Sequence, residues 1–404
     1  MDIKRLEEKP VGDKTASADD MPGSKDVALV GCENYNRDLV EERIGRAFEL
    51  LGGPGAIAGE GESVFVKVNA LVPSAPEKAV TTHPEVVRAV VTQFMRVTDK
   101  VIIGDSPGGP YSPAVLRRFY DKCGFARVAR ETGAELNFDT SVEQVTIPDG
   151  KMMKAYTMCS AMKNADHLVS VSKFKTHMLV NITAAIKNLF GVVAGMNKFT
   201  YHSRFRRVEE FADLLVDVAL ASAADFHVVD AVVGMDGNGP RQGNPKPMGF
   251  VAAGRDPFAL DLLLMELIGI DPRADKPLAA AIDRDLCAPT AAELNVLGDD
   301  PDSLAVSGFK LPTKKDVSEL IPGFLMDRFG RMLSLRPKPA SDRCTGCRKC
   351  ADVCPGNAIT MVDGLATVDL GKCIKCYCCH ELCEYDAIDL DRPALMRLLG
   401  IRTG

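Results

Sequence analysis

The sequence predicts an α/β domain, with a mostly parallel sheet and helices on both of its faces, followed by a small C-terminal α+β domain rich in cysteine. Two observations lead to this prediction. From residue 27 onward, short apolar runs typical of strands alternate with helical periods, and this alternation indicates a parallel sheet covered by helices. Nine of the 13 cysteines then cluster between Cys344 and Cys383, and eight of these nine form a repeated pattern.

The elements of the large domain are predicted from their periodicity and their end signals. Strands are predicted at 64–68, 101–104, 167–172, 226–230 and 249–254, and helices at 84–95, 112–123, 181–190 and 257–267. Three loops follow strand ends, at 105–110, 173–177 and 230–243. Ligands of such sheets bind beyond the carboxyl ends of the strands, so these three loops form the predicted binding region.

The length of 404 residues indicates two or three domains. We expect a flexible N-terminal segment at 1–26, an α/β domain at 27–334 as one unit or two lobes, and the cysteine-rich domain at 343–391. Residues 335–342 are rich in proline and charge, so they are predicted to link the two domains. Residues 392–404 form the predicted C-terminal tail.

The composition excludes several classes of protein. A net charge of −6 argues against a general nucleic-acid binder. No run of 18 apolar residues occurs, so no membrane span is predicted. The N-terminal residues contain no apolar segment of the kind found in secretory signals. A cytoplasmic protein is therefore expected.

The cysteine spacing is the most specific motif in the chain. Four cysteines with x2, x2 and x3 spacers are repeated 29 residues further on. In this pattern three thiolates wrap one iron–sulfur cube and the fourth reaches a second cube. Neither a disulfide scaffold nor paired zinc sites fit this spacing. The pattern predicts one [4Fe–4S] cluster on Cys344, Cys347, Cys350 and Cys383, and a second on Cys373, Cys376, Cys379 and Cys354.

Residues 342–391 thus resemble the bacterial two-cluster ferredoxins, with one departure from their pattern. Glu384 stands where proline usually follows the fourth cysteine. Such clusters imply a redox partner protein and, with no secretory signal, the cytoplasm of an anaerobe. Cys378 is expected to be a packing residue and His380 a surface residue. The remaining cysteines are expected to be buried, inert thiols; they are Cys32, Cys123, Cys159 and Cys287.

A long basic segment stands out in this acidic protein. Residues 167–207 contain seven lysines and arginines, three histidines and no acidic residue. The segment therefore carries +7, and the rest of the chain carries −13. Three interpretations remain open: a pocket for an anionic ligand, a solvated basic face, or a docking patch for an acidic electron-transfer partner.

Candidate site residues come from this segment and from the loops around it. Lys173, Lys175 and His177 alternate, so they share one face of an extended segment. The polar residues at other strand ends and in a glycine-rich turn join them. The remaining candidates are Lys67, Asn69, Asp105, Ser106, Lys187, Asn188, His202, Arg204, Gly237 and Gly239. No dinucleotide fingerprint or phosphate-binding P-loop is present, so no organic cofactor is identified.

Several short runs, taken together, resemble the family called domain of unknown function 362. They are Thr81-Thr-His-Pro-Glu-Val-Val, Gly104-Asp-Ser-Pro-Gly-Gly, Lys173-Phe-Lys-Thr-His, Ala185-Ile-Lys-Asn-Leu-Phe-Gly, His202-Ser-Arg, Gly237-Asn-Gly-Pro-Arg-Gln-Gly and Asp256-Pro. The resemblance covers residues 27–300 and implies an α/β domain with a shared site built from these loops. Fusion to a ferredoxin module is common in this family. The resemblance implies no particular reaction.

Three functional hypotheses follow. The first is a ferredoxin-linked oxidoreductase, in which Lys175 and its basic neighbours neutralise an anionic substrate and His177 or His202 supplies the proton. The second is an electron carrier whose α/β domain docks a separate redox enzyme. The third is a non-redox enzyme in which the clusters are structural or sensory.

Overall fold

The computed structural model describes residues 25–205, 207–312 and 335–391. The predictions for most of the N-terminal segment, for Arg206, for 313–334 and for the C-terminal tail lie outside these ranges. The first strand begins at Asp26, the last residue assigned to the flexible segment.

The α/β domain is built on a nine-stranded sheet. Eight strands lie in the order β11-β1-β10-β9-β7-β2-β3-β4, and β8 pairs with β7. The strands are β1 Asp26–Gly31, β2 Val64–Val68, β3 Val101–Gly104, β4 Glu135–Leu136, β7 His167–His177, β8 Asn181–Thr183, β9 Phe226–Asp236, β10 Asn244–Gly254 and β11 Asn295–Gly298. Five of the seven pairings along the main order are parallel, which confirms the mostly parallel sheet. A separate hairpin joins β5 Val142–Thr146 to β6 Ala155–Cys159.

Ten α-helices in the described part of the α/β domain surround the sheet. They are α1 Arg37–Leu50, α2 Pro84–Phe94, α3 Pro113–Cys123, α4 Phe125–Thr132, α5 Ser160–Asn164, α6 Ala185–Asn188, α7 Asn197–Arg204, α8 Val208–Ser222, α9 Pro257–Leu267 and α10 Lys276–Asp283. The local sequence explains where several of them start. Proline begins α2, α3 and α9, and the side chains of His83, Ser112 and Asp256 cap these helices by accepting a backbone N–H.

Alternate residues of the central strands enter two different cores. In β1, Ala28 and Val30 pack with α1 to α4 on one face, whereas Val27 and Leu29 pack with α6, α9 and α10 on the other. This alternation follows from the two-residue period of a strand. It confirms that helices cover both faces.

Three predicted elements differ in the structure. Residues 173–177 are not a loop, because β7 runs to His177. Half of the loop predicted at 230–243 is also strand, because β9 extends to Asp236. Residues 237–243 connect β9 to β10, which starts at Asn244. The helix predicted at 181–190 begins late, at Ala185. Asn181 has a φ of 72° and pairs with His177, so residues 181–183 form a strand that folds back on β7.

The small domain includes the segment predicted to be a linker. Its strand β12, Arg336–Pro339, pairs with β15, Ile388–Asp391, while β13, Ile359–Val362, pairs with β14, Leu365–Val368. Its helices are α11, Lys349–Asp352, and α12, Cys378–Leu382. Half of the predicted linker, Arg336–Pro339, is thus a strand of the small domain. Its prolines are tolerated because a two-stranded sheet consists of edge strands.

The backbone of the small domain repeats in the same way as its sequence. Left-handed residues occur in pairs 29 positions apart: Gly346 with Lys375, Arg348 with Tyr377, and Asn357 with Asp386. Each half thus folds through the same sequence of tight turns.

The two domains pack against each other. Glu384 accepts hydrogen bonds from Arg118 of α3 and from Lys349 of the small domain, and its main-chain carbonyl accepts one from Arg241. Apolar residues of both domains meet beside it; they include Phe199, Met235, Val353 and Leu382. The glutamate that replaces the usual proline therefore contributes to the domain interface.

No helix in the described ranges is long and apolar enough to cross a membrane.

Candidate functional site

The eight cysteines of the repeat lie around the paired turns of the small domain. Cys354, Cys373, Cys376 and Cys379 line one apolar cavity of about 340 Å³. Two backbone N–H groups donate to sulfur at equivalent positions of the repeat, from Ala358 to Cys354 Sγ and from Ala387 to Cys383 Sγ, each at 3.2 Å. Thiolate ligands of iron–sulfur clusters accept such bonds, so the residues present fit an iron–sulfur cluster.

Two residues next to these cysteines are buried rather than exposed. His380 was expected at the surface, but it is 2% exposed and its Nδ1 lies 2.6 Å from the carbonyl oxygen of Ile388. This prediction was wrong because α12 turns His380 toward the small sheet. Cys378 is buried at the domain interface, as expected of a packing residue.

A polar cleft of about 680 Å³ lies between the α/β domain and α12. The parallel strands β2, β3 and β7 end there, where ligands of such sheets bind. Its far wall is formed by Cys378, Glu381 and Leu382 of α12. Of the predicted candidates, the structure brings nine together in this cleft: Lys67, Asn69, Asp105, Ser106, Lys175, His177, Lys187, Asn188 and His202.

A buried ion pair forms the floor of the cleft. Lys67 Nζ lies 3.0 Å from Asp105 Oδ1 and also donates to Asn188 Oδ1 and to its neighbouring carbonyl. Asp105 accepts two further hydrogen bonds, from the backbone N–H groups of Ala70 and Ser106. A Cβ added at Gly191 would lie 2.3 Å from Lys67 Nζ. Glycine at this position thus permits the close approach of the 3-10 turn Leu189–Val192, which follows α6, to the pair.

Three more lysines line the same cleft. Lys175 Nζ donates to Asn69 Oδ1 at 2.7 Å and to the carbonyl of Val80. Lys198 Nζ donates to the carbonyl and hydroxyl of Ser106. Burial lowers the pKa of Lys175 to about 7 and that of Lys198 to about 8. For Lys175 the nearby charges of Lys187 and Lys173 lower it further.

The two histidines of the cleft have different surroundings. His177 Nε2 lies 3.3 Å from Glu381 Oε1 of the small domain, and its Nδ1 accepts the N–H of Leu179. His202 stacks on Phe211, and Phe190 meets it edge-on. Burial lowers the pKa of His202 to about 3, so its ring is neutral at physiological pH. The expectation that His202 supplies a proton near neutrality is therefore not supported by its environment.

Four predicted residues lie outside the cleft lining. Lys173 Nζ pairs with Asp230 at 2.9 Å and donates to the hydroxyl of Tyr35. Arg204 is exposed at the end of α7, over the ring of Phe205. The other two are Gly237 and Gly239.

The glycine-rich turn packs against the backbone of β7, and its glycines do not line the cleft. A Cβ at Gly239 would lie 2.3 Å from the carbonyl oxygen of Thr176, and Gly237 occupies the turn with a φ of 73°. Only Pro240 of this turn lines the cleft. The prediction that these glycines bind ligand is therefore replaced by a role in packing the turn on β7.

The sequence analysis missed several cleft residues. Lys198 is in the basic segment and could have been found by its charge, and Thr183 by its place opposite Lys175 in the β7–β8 ladder. Glu381 and Leu382 had no such signal, because only the packing of the small domain places them at the cleft.

Four lysines of the basic segment are buried or partly buried, whereas Arg204 and Arg207 are exposed. Lys173, Lys175 and Lys198 are each less than a tenth exposed, and Lys187 is partly buried. These side chains can serve neither as a solvated face nor as a docking patch.

The cysteines away from the repeat are shielded thiols. Cys32, Cys123 and Cys159 are buried, and Cys287 is half-buried. Burial raises the pKa of Cys32 and Cys287 to about 12 and that of Cys123 to about 11. Such thiols are poor nucleophiles at neutral pH.

Comparison with known proteins identifies both domains. The family described as "Domain of unknown function (DUF362)" matches residues 64–266, half of the chain, and the 4Fe-4S binding domain matches residues 338–360. The chain belongs to the DUF362 family. Its DUF362 domain is fused to a ferredoxin-type module that binds an iron–sulfur cluster and indicates electron transfer.

Two curated proteins resemble this DUF362 chain. Thylakoid-associated protein sll1697 of Synechocystis is 30% identical over 300 residues, which cover 71% of this chain and 88% of that protein. A component of the ion-translocating oxidoreductase complex of Methanosarcina acetivorans is 43% identical over 47 residues, 12% of this chain and 18% of that component. Among solved structures, the lactate racemase apoprotein of Thermoanaerobacterium thermosaccharolyticum gives a TM-score of 0.34 at 15% identity, covering 58% of this chain and 56% of that one.

Proposed function

We propose that this protein is an oxidoreductase that transfers electrons from a protein donor to an anionic ligand. The ligand would bind in the cleft lined by Lys67, Lys175, Lys187 and Lys198, the lysine cleft. The observation that carries the proposal is the shared wall between the two sites. Cys378 lines both the cysteine cavity of the small domain and the lysine cleft. A ligand in the cleft is therefore separated from the cysteine cavity by one short helix, α12.

The proposed cofactors are two [4Fe–4S] clusters, which supply electrons one at a time. Cys344, Cys347, Cys350 and Cys383 would hold one cluster, and Cys373, Cys376, Cys379 and Cys354 the other. Cys347 is exposed, so the donor protein is proposed to dock beside it. The cysteines of the second set line the cavity next to the cleft.

The lysines of the cleft serve to bind and neutralise an anion. The cleft contains four lysines and two carboxylates, those of Asp105 and Glu381. Without counting the histidines, this leaves an excess of two positive charges when all four lysines are protonated. Charge that develops on a ligand during reduction would be stabilised by ammonium groups already held in place.

The proton donors in this proposal are Lys175 and His177. A group with a pKa near 7 is suited to proton transfer at physiological pH, and the buried Lys175 has such a pKa. In the balanced reaction, one double bond of the ligand becomes a single bond by gaining two electrons and two protons. A low-potential one-electron carrier protein is oxidised twice, and the protons are replaced from solvent.

The test is the reoxidation of reduced protein by small anions. Protein reconstituted with iron and sulfide under anaerobic conditions is reduced, and pyruvate, fumarate and phosphoenolpyruvate are added as probes. We expect at least one probe to restore the oxidised visible spectrum. Lys175→Ala should abolish this response with unchanged iron content, whereas Lys163→Ala, outside the cleft, should retain it.

Two results would contradict the proposal. Equal reoxidation of the parent and of Lys175→Ala would remove the cleft from the reaction. Reoxidation by a protein acceptor alone, at a rate that falls steeply with salt, would favour an electron carrier instead.

A further inference from the structure

The four lysines of the cleft differ in how many hydrogen-bond acceptors they have. An ammonium group carries three N–H donors. Lys67 Nζ has three acceptors, at 3.0, 3.2 and 3.0 Å. Lys198 Nζ also has three, the carbonyl and hydroxyl of Ser106 and the carbonyl of Gly191. Both groups are saturated by the protein itself and have no donor left for a ligand.

The other two lysines retain unused donors. Lys175 Nζ has two acceptors, Asn69 Oδ1 and the carbonyl of Val80. Lys187 Nζ lies 5.4 Å from the centre of the Phe190 ring and has no hydrogen-bond acceptor among the described residues. A cation without an acceptor beside an apolar ring requires water or an anion to complete its bonding.

A buried hydroxyl lies beside these two lysines. Thr183 is 3% exposed, and its Oγ1 has no hydrogen-bond partner in the described part of the chain. Thr183 is directly opposite Lys175 in the β7–β8 ladder, so their side chains are neighbours on one face. Lys187 follows four residues later. All three residues line the cleft.

Two backbone N–H groups at the start of α6 are already occupied. The N–H groups of Ala185 and Ile186 already donate to the buried carboxylate of Asp261, at 2.7 and 3.0 Å. An anion bound here could not use these two N–H groups.

We propose that Lys175, Thr183 and Lys187 form one subsite for an oxyanion group, the carboxylate or phosphate of the ligand, and that Lys67 and Lys198 shape the cleft without contacting that group. The inference rests on the proposed function only in that the cleft binds an anion. It requires no electron transfer.

Binding at this subsite should be coupled to proton uptake. A neutral amine has two N–H groups, which match the two acceptors of Lys175. The pKa of Lys175, about 7, reflects burial, the cations Lys187 and Lys173, and opposing attraction from Glu381 and Asp105. His177, on the same strand, also lines the cleft. An oxyanion supplies the third acceptor and a negative charge, so Lys175 becomes protonated when the anion binds.

The test is titration calorimetry on oxidised holoprotein without any electron donor. Sulfate and acetate are suitable probes, because both are fully ionised above pH 7 and differ in shape. The binding enthalpy is measured in two buffers of different ionisation enthalpy, and the difference gives the number of protons taken up. We expect close to one proton per bound anion at pH 8 and a value near zero at pH 6. Tighter binding of sulfate would indicate a phosphate ligand, and tighter binding of acetate a carboxylate.

The variants distinguish the lysines. Loss of a hydrogen bond to a charged group costs about 1.5–3 kcal/mol, so Lys175→Met and Lys187→Met should each weaken binding by about ten- to a hundredfold. Thr183→Val should weaken it by about two- to tenfold. Thr200→Val, at an exposed position of α7, and Lys163→Met should leave the affinity unchanged. Folding of every variant is checked by circular dichroism.

The inference is overturned if the parent binds neither probe, or if folded Lys175→Met and Lys187→Met bind them as tightly as the parent. These outcomes are separate from failure of the proposed function. A protein that reduces no ligand but shows the expected loss in Lys187→Met retains the subsite. A protein that reduces a ligand while Lys187→Met binds anions normally has its anion elsewhere in the cleft.

Discussion

The small domain and the lysine cleft assemble their functional residues in opposite ways. The eight cysteines of the repeat lie in one short segment of the small domain, from Cys344 to Cys383. The cleft instead collects residues from positions as distant as Lys67 and Leu382. In the first region, neighbours along the chain are neighbours in space. In the second, the sheet order and the packing of two domains decide which residues meet. Substitutions at cleft residues outside α12 should therefore leave the cysteine site intact.

The largest expected effect is at the floor of the cleft. Lys67→Met leaves the carboxylate of Asp105 buried without its cation, which should cost about 3–5 kcal/mol of unfolding free energy. The chain contains no tryptophan, so denaturant unfolding is followed by far-UV circular dichroism. Visible absorbance of the iron–sulfur module should be retained under native conditions.

The matched control is an ion pair at the surface. Lys25 and Glu293 lie 2.7 Å apart, but both side chains are more than half exposed, so Lys25→Met should cost less than about 1 kcal/mol. Loss of iron absorbance by folded Lys67→Met would show that the cysteine site depends on the cleft floor. An unfolding free energy lowered only as much as in Lys25→Met would contradict the buried ion pair.

A smaller effect is expected where the 3-10 turn Leu189–Val192 approaches this pair. Gly191→Ala places a Cβ 2.3 Å from Lys67 Nζ and 2.6 Å from Asp105 Oδ1. Crowding of this kind costs about 1–3 kcal/mol. Gly55→Ala is the control, because no atom lies within 4 Å of the added Cβ. Equal stability of the two variants in denaturant unfolding would contradict the tight packing of the cleft floor.

Much of the fold was predictable because its signals are local. The runs at 64–68 and 101–104 became β2 and β3 with the same bounds, since each is a short apolar segment that a parallel sheet buries on both faces. The prolines at 84 and 257 marked helix starts in the same way. These features depend on a few neighbouring residues.

The sequence-based predictions are wrong or incomplete where residues far apart in the sequence determine the structure. The alternation of Lys173 and Lys175 predicts one shared strand face, but the register between β7 and β9 shifts between these residues. Asp230 on the neighbouring strand pairs with Lys173, whereas Lys175 lies in the cleft. Glu381 reaches His177 only because the small domain packs over the cleft. Residues 181–183 have a helical pattern in the sequence, but pairing with β7 makes them a strand. Location in the cytoplasm of an anaerobe stays a prediction.

The smallest and most gradual effect is the dependence of stability on pH. Lys175 has a pKa of about 7 in the folded chain and an ordinary value of 10.5 when exposed. Between these values the unfolded chain binds more protons, so the unfolding free energy should rise with pH across this window. Below pH 7 both states are protonated, and the full cost of burying the charge remains.

Lys175→Met removes this contribution, so its stability profile should be flatter than that of the parent between about pH 7 and pH 10. Lys67, Lys187 and Lys198 also have lowered pKa values because of burial, and they keep part of the slope in both proteins. The difference between the two profiles therefore isolates Lys175. Parallel profiles in denaturant unfolding would mean that the amine is already solvated or paired in the folded protein. In that case it would have no reason to take up a proton when an anion enters the cleft.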